Sequence, residues 1–291
     1  DTYLLLKVKL QDSAIPVKVE EGTKHDVYPV NNFLHSLYSN CEVYLNNQQV
    51  YNSNGLYSHK AFISNEFNAA HPEYKGILQC HGYEYENTPN EFESSHFERR
   101  KEQLTQSPWT LYGKLAIDAF TCEKLMLPKT KIRIKLIRSR ANFHLICEAP
   151  LPNNAVKITH ASLFTRRVAV HGDMQRMIES QLTRQPARYH FTEIESRTFI
   201  VPDGQNQFIQ ENVFNNAPIR RLVIAMNTNA AFSGSFNENP FHYRKFGLRE
   251  IRVIRGNQPV VYMSTVQNSQ AYVTTMKAME FNDETSASPF D

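Results

Sequence analysis

The stretch from Lys131 to Leu136 limits the possible folds most, because its apolar and basic side chains alternate strictly. In an extended strand, Ile132, Ile134 and Leu136 would lie on one face and the three basic side chains on the other. A period of two is typical of a half-buried strand and does not fit an amphipathic helix. The chain therefore contains a sheet with one face towards a core.

Other short apolar or alternating segments, separated by turn signals, predict that the whole chain is β-rich. Aromatic residues make up 11% of the sequence and suit pleated, half-buried surfaces. Asn46 and Asn47 predict a hairpin turn between Glu42 and Tyr51, since asparagine tolerates a positive φ. A second hairpin loop is predicted at 256–259. The predicted strands cover residues 3–10, 15–20, 131–136, 155–170, 187–201, 219–227, 248–255 and 259–264.

Only three short helices are predicted. Asn32 is placed to cap the first, Phe33–Tyr38, and the second covers 56–67. Asp173 would cap the third, which ends before Pro186 because proline disfavours helix at the preceding residue. The apolar stripe of this third helix consists of Met174, Met177, Ile178 and Leu182.

The third helix is also the best candidate for a domain boundary, because strand-rich sequence flanks it on both sides. Three segments are predicted: a first β-sandwich over 1–172, a connecting helix and linker over 173–186, and a second β-sandwich over 187–291. Residues 84–107 are first acidic and then basic, and they are predicted to be a long surface excursion between strands.

The overall charge, the cysteine content and the lack of long apolar runs limit the classes of function that are compatible with the sequence. The chain carries 32 basic and 29 acidic residues, so a contact with nucleic acid would be local and weak. The four cysteines lie far apart, which predicts free buried thiols in a reducing compartment. No apolar run approaches the roughly 18 residues that a membrane span needs, so none is predicted.

A metal site was considered at Cys80 and His81, with His71 and His96 nearby in sequence. Structural zinc needs four converging ligands, usually presented as paired short spacings. Only one adjacent pair occurs, and adjacent residues of a strand point to opposite faces. The sequence therefore predicts no metal site.

Two carboxylates, Glu193 and Glu195, would share one face of a strand about 6–7 Å apart. Such a pair could serve glycoside hydrolysis. Arg197 continues the same face, however, and favours a solvent-exposed ladder of opposite charges. The β-sandwich hydrolase is therefore the weaker interpretation.

The remaining polar candidates favour structural roles. His144, His160 and His171 lie in or beside strand segments without a partner at a diagnostic spacing. Paired arginines could touch a packaged genome, but more often they are solvated strand ends or make intersubunit ion pairs. No catalytic, cofactor-binding or metal-binding residue is predicted, so the chain is not expected to be an enzyme. The arginine pairs are Arg138/Arg140, Arg166/Arg167 and Arg220/Arg221.

Seven short blocks, in conserved order, resemble the major capsid proteins of Polinton/Maverick elements and adintovirus-like viruses. Each block alone is weakly specific, but their ordered set spans roughly residues 29–250. The blocks are Pro29–Tyr38 (PVNNFLHSLY), Val43–Asn46 (VYLN), Ile132–Arg140 (IRIKLIRSR), Thr165–Val168 (TRRV), Thr198–Pro202 (TFIVP), Ala231–Phe236 (AFSGSF) and Asn239–Phe241 (NPF).

This resemblance implies an all-β double jelly roll, with two β-sandwiches side by side and a few short helices. It further implies homotrimers that form pseudo-hexagonal capsomers, as in the adenovirus hexon-like lineage, and that contact other capsid proteins such as a penton. The protein would be made inside the host cell, including its nucleus, and located in the virion capsid. Relative to the family the chain is expected to be truncated at both ends. The alternative is a single-roll penton-like, receptor-binding or carbohydrate-binding β-sandwich.

Overall fold

A computed structural model of the chain describes residues 2–11, 26–69, 75–86, 89, 91–92, 94–106, 108–122, 124–148, 150–215, 217–255, 258–264 and 273. The fold is β-rich, with antiparallel sheets and a few short helices, as predicted. The strands are β1 (Thr2–Leu10), β2 (Tyr28–Pro29), β3 (Tyr38–Leu45), β4 (Gln48–Asn52), β5 (Trp109–Lys114), β6 (Ile132–Arg138), β7 (Leu145–Ile146), β8 (Val156–Thr165), β9 (Glu250–Arg255) and β10 (Gln258–Ser264). The helices are α1 (Phe33–Ser36), α2 (Tyr57–Ala69), α3 (Lys75–Gln79), α4 (Ser95–Thr105), α5 (Ala141–His144), α6 (Gly172–Leu182) and α7 (Asn229–Ser233), with a 3-10 turn at Asp118–Phe120.

One three-stranded sheet has the order β5-β1-β8, with all pairs antiparallel. Its central strand alternates as an amphipathic strand should, with Leu4, Leu6 and Val8 buried between more exposed neighbours. Thr2 lies opposite Thr165, so the sheet joins segments far apart in sequence.

A second three-stranded sheet has the order β4-β3-β6. Asn46 and Asn47 form its hairpin turn with φ of 48° and 70°, which confirms that prediction. Val43 lies opposite Ile134, and this face of β6 packs against the core. Ile132 is 47% exposed, so the predicted apolar face is covered over two of its three residues.

The two sheets share one hydrophobic core, to which α1 also contributes. Phe33 of α1 is fully buried and stacks on Trp109 of β5, with ring centroids 5.0 Å apart. Cys41 of β3 lies in the same core, where burial raises the pKa of its thiol to about 12 and keeps it protonated. All four cysteines are free as predicted, although Cys80 is exposed and Cys122 only half-buried.

The prediction that residues 84–107 form a surface excursion is wrong for their second half. Residues 95–105 form α4, whose buried positions Phe97, Arg100 and Leu104 follow helical spacing. Arg100 is 1% exposed; its Nε donates to the carbonyl oxygen of Pro29 at 3.0 Å, and its guanidinium pairs with Glu86. The run of charged residues masked the helical pattern, because arginine is usually exposed and sequence alone does not show that Arg100 is buried.

Several predicted strands and helix ends are also wrong. Residues 187–201 and 219–227, all of which the structure describes, form no strand, and β8 ends at Thr165 rather than at 170. Alternation shows which face of a segment is apolar but supplies no hydrogen-bonding partner. The first helix ends at Ser36, because Tyr38 pairs with Arg138 in β3. Asn32 precedes that helix in the left-handed region, yet its side chain makes no capping bond.

The third predicted helix is present as α6, but it begins at Gly172, and His171 rather than Asp173 occupies the capping position. Its stripe faces solvent, since Met174, Met177 and Leu182 are exposed. The helix α2 and the hairpin of β9 and β10 are confirmed. The predicted strand 15–20 and the loop residues 256–257 lie outside the described residues. The division into 1–172, 173–186 and 187–291 remains a prediction.

Within the described ranges, no helix combines the length and the apolar character that crossing a bilayer requires.

Candidate functional site

The most unusual surface feature is a set of exposed apolar side chains in the second half of the chain. Ile200 is 81% exposed and Ile209 is 71% exposed, although both are strongly hydrophobic. Exposed apolar area of this kind marks interaction sites when it is extensive. We call these residues the exposed apolar set: Leu163, Phe164, Val168, Val170, Met174, Met177, Leu182, Phe191, Ile194, Phe199, Ile200, Val201, Phe208, Ile209, Ile219, Leu222, Val223 and Ile224.

The local sequence explains this exposure. Residues 187–201 and 219–227 carry the apolar patterns of strands, but they pair with no neighbouring strand in the structure. An unpaired segment cannot bring its apolar face against a second layer. From residue 157 to residue 255, the described side chains that are buried belong to Ala231, Asn239, Pro240 and Phe241.

A buried ion pair in the first half of the chain accepts a hydrogen bond from the second half and so connects the two. Lys60 of α2 lies 2.6 Å from Asp118 and 2.8 Å from the hydroxyl of Tyr51. The same Asp118 oxygen accepts a hydrogen bond from the backbone N–H of Ile194 at 2.7 Å. Burial lowers the pKa of Lys60, and the hydrogen bond to Asp118 partly offsets this effect. The pair is closed to solvent, so its geometry suits anchoring rather than substrate chemistry.

The two carboxylates Glu193 and Glu195 lie in a segment that forms no strand. Glu195 pairs with Arg197 two residues on, as the charge-ladder interpretation expects, but in a segment that forms no strand. Glu193 is exposed and instead acts electrostatically on Tyr51 and Lys60. The premise of a shared strand face is therefore wrong, because residues 187–201 have no ladder to hold them.

The residues considered for zinc binding are dispersed. Cys80 is exposed while the adjacent His81 is buried, and His96 lies 3.4 Å from a carboxylate oxygen of Glu84. Among the residues that the structure describes, no group of three or more His, Cys, Asp or Glu side chains could hold a metal ion. His71 lies outside that part of the chain.

The arginine pairs have different environments. Arg138 donates from its guanidinium to the carbonyl oxygen of Val156 at 3.1 Å, which ties β6 to β8. Arg166 and Arg167 follow β8, are exposed, and make no ion pair with another described residue. Both guanidinium groups are therefore accessible to an acidic partner.

Four buried histidines were not recognised as a group from the sequence. His35, His59, His81 and His144 come from different elements and lie almost entirely inside the protein. The ring centroids of His35 and His81 are 5.3 Å apart. The edge of His144 faces Phe33, with centroids 6.1 Å apart. Their apolar neighbours in sequence, such as Leu145 beside His144, were the available signal.

The remaining histidines that were predicted are exposed. His160 lies on β8 and its Nε2 shares a 2.8 Å hydrogen bond with Ser162. His171 occupies the N-cap position of α6 without a side-chain capping bond, and its Nδ1 lies 3.7 Å from Asp173. His144 ends α5 directly before β7, so it lies beside a strand as predicted, and it is fully buried.

Comparison with known proteins finds a distant relative of this chain. An uncharacterized protein of Caenorhabditis elegans is 20% identical over 260 residues, which cover 87% of this chain and 61% of that protein. The chain thus spans about three fifths of the relative's length. No family model matches the chain, and no solved structure shows a significant match to it.

Proposed function

We propose that this chain is a structural capsid subunit, a double jelly-roll major capsid protein that trimerises into pseudo-hexagonal capsomers. The ordered sequence blocks from Pro29 to Phe241 support the family assignment. The antiparallel sheets with one shared core are compatible with a jelly roll, which is a double sheet joined by Greek-key connections. In this proposal the protein functions in the virion and performs no catalysis.

The exposed apolar set is the observation that carries the proposal. Subunits of closed shells need large, repeated contact surfaces, and obligate homo-oligomer interfaces are rich in apolar side chains. Eighteen exposed apolar residues between Leu163 and Ile224 provide such side chains in quantity. Other copies of the chain are the proposed partners, with other capsid proteins such as a penton at the edges of the capsomer.

The basic residues support a smaller role at the interface. Arg166 and Arg167 lie beside the apolar residues Phe164 and Val168. Arginine is favoured in ion pairs between subunits, because its planar fork matches a carboxylate. We assign them to contacts with acidic side chains of a neighbouring copy, and contact with packaged DNA is the secondary assignment.

Sedimentation of the purified chain over a wide concentration range tests the proposal. The expected result is a species of three times the 33.7 kDa chain mass, with hexagonal outlines in electron micrographs. The double variant Ile200→Asp, Ile209→Asp should shift the equilibrium to monomer, because it places charges in the apolar contact. Ile77→Asp, Leu125→Asp, a double change of the same kind at two exposed residues outside the exposed apolar set, is the matched control and should leave the trimer intact.

A chain that remains monomeric at all concentrations would contradict the capsomer proposal. If that monomer bound glycans or a cell-surface receptor, the single-roll binding protein would replace it. Equal behaviour of the two aspartate variants would show that the exposed apolar set is not the contact surface.

A further inference from the structure

Four buried histidine rings have no carboxylate partner among the residues that the structure describes. His35 is on α1, His59 on α2, His81 in the turn after α3, and His144 at the end of α5. Both ring nitrogens of His81 and of His144 are buried without a hydrogen-bond partner. Buried polar atoms are rarely left unpaired, so two such rings in one protein call for an explanation.

The surroundings of His35 and His81 are neutral or basic. His35 shares a 2.9 Å hydrogen bond with the hydroxyl of Tyr57 on α2, and its ring faces the edge of His81. The ring of His81 lies so close to β5 that a Cβ on Gly113 would be 2.3 Å from it. Burial lowers the pKa of His35 well below its usual range, with a further lowering by His81, and burial lowers that of His81 to about 4.

His144 faces Phe33 on α1 and is influenced by Arg138 on β6. Burial, reinforced by Arg138, lowers the pKa of His144 to about 3. The backbone carbonyl of Arg140 partly offsets this lowering, although neither ring nitrogen reaches it in hydrogen-bonding geometry. A proton on this ring would therefore be repelled by its nearest charged side chain.

His59 lies in an aromatic cage. Its Nδ1 shares a 2.9 Å hydrogen bond with the hydroxyl of Tyr243, and its ring stacks on Phe232 with centroids 5.1 Å apart. Arg138 and Arg140 line the same depression of about 260 Å³ that His59 borders, so the charged side chains here are also basic. Burial lowers the pKa of His59 to about 4. The described residues thus provide no carboxylate to any of the four rings.

We propose that the buried rings of His35, His59, His81 and His144 make the stability of the fold acid-sensitive. The fold is stable at neutral pH and unfolds in mildly acidic surroundings. Each ring must stay neutral inside the core but takes a proton as soon as it is exposed. This loss of stability at acid pH is a property of the single chain. Its biological role, the loosening of a capsid in an acidified compartment, rests on the proposed capsid function.

The direction of the pH dependence follows from linkage. A histidine whose pKa is lower in the folded state contributes no penalty well above pH 6.5, and it destabilises the fold as the pH falls from about 6.5 towards the lowered value. One ring with a folded pKa of about 4 raises the unfolding equilibrium constant about 30-fold between pH 7.5 and pH 5. The effects of His59, His81 and His144 multiply to a rise on the order of 10⁴-fold, which is comparable with the folding constant of a marginally stable domain, and His35 acts in the same direction.

Denaturant unfolding of the full chain between pH 7.5 and pH 5 measures this dependence. The expected slope between pH 6 and pH 5 corresponds to the uptake of three to four protons on unfolding. The variant His59→Phe, whose ring can occupy the same aromatic cage, should lower the slope by about one proton. His160→Gln removes an exposed histidine and should leave the slope unchanged.

A slope of one proton or less for the unmodified chain would overturn the proposal, whether or not any variant folds. An equal reduction of the slope by His160→Gln and His59→Phe would also overturn it. Sedimentation at pH 7.5 tests the capsid proposal separately. A chain that is monomeric yet acid-labile would contradict the capsid function and leave the histidine device in place.

Discussion

The two halves of the molecule bury their apolar side chains very differently. Up to Val156, most of the large apolar side chains enter the shared core or a smaller cluster around Phe62 and Phe97. Beyond it, residues as hydrophobic as Ile200 and Ile209 face outward. Residues 187–201 and 219–227 carry apolar patterns of the kind found in strands, but they form no strand. This comparison shows that apolar side chains form a core only where a second layer of structure is available to cover them.

The largest expected effect is at the centre of the first half. Phe33→Ala removes a fully buried ring that stacks on Trp109, and it should lower the free energy of unfolding by about 3–5 kcal/mol. Denaturant titration at neutral pH measures this loss. A loss below about 1 kcal/mol would mean that the first half is no better packed than the second.

A smaller effect is expected from adding one methyl group to the same core. Gly113→Ala would place its Cβ 2.3 Å from the ring of His81 and 2.7 Å from a methyl carbon of Leu34, so it should cost about 1–3 kcal/mol. Gly76→Ala is the control, because a Cβ there meets nothing within 4 Å and alanine favours helix. If thermal melting showed the two variants to be equally stable, close packing at β5 would be disproved.

The smallest effect is expected in the exposed apolar set. Ile200→Ala should change the free energy of unfolding of the dissociated chain by no more than about 0.5 kcal/mol, because its side chain has little contact to lose. The same substitution at the buried Ile117 should cost about 2–5 kcal/mol. Both free energies of unfolding are measured at concentrations too low for self-association. Similar losses of stability at Ile200 and Ile117 would contradict the difference in packing between the two halves.

Local features of the fold could be predicted from the sequence because they depend on neighbouring residues. The alternation at Ile134 and Leu136 predicted the face of β6 that packs inward, and two asparagines predicted the turn between β3 and β4. Each of these is decided by backbone preference and side-chain period, which a linear pattern contains.

Long-range features could not be predicted in this way. Nothing near Arg100 indicates that its guanidinium is buried, because its partners Glu86 and Pro29 come from other parts of the chain. The four histidines likewise lie in different elements, and their common feature is burial in the folded chain rather than a sequence motif. Unpaired buried atoms are a property of the assembled core.

The sequence by itself determined the period-two segments, the asparagine turn and the apolar or charged character of each face. The tertiary structure decided that β1 pairs with β8, that residues 187–201 form no strand, and that four histidines are buried with no carboxylate of a described residue paired to them. The physical reason is that side-chain alternation is local, whereas hydrogen-bond pairing and burial each require a second segment whose position no single stretch of sequence specifies.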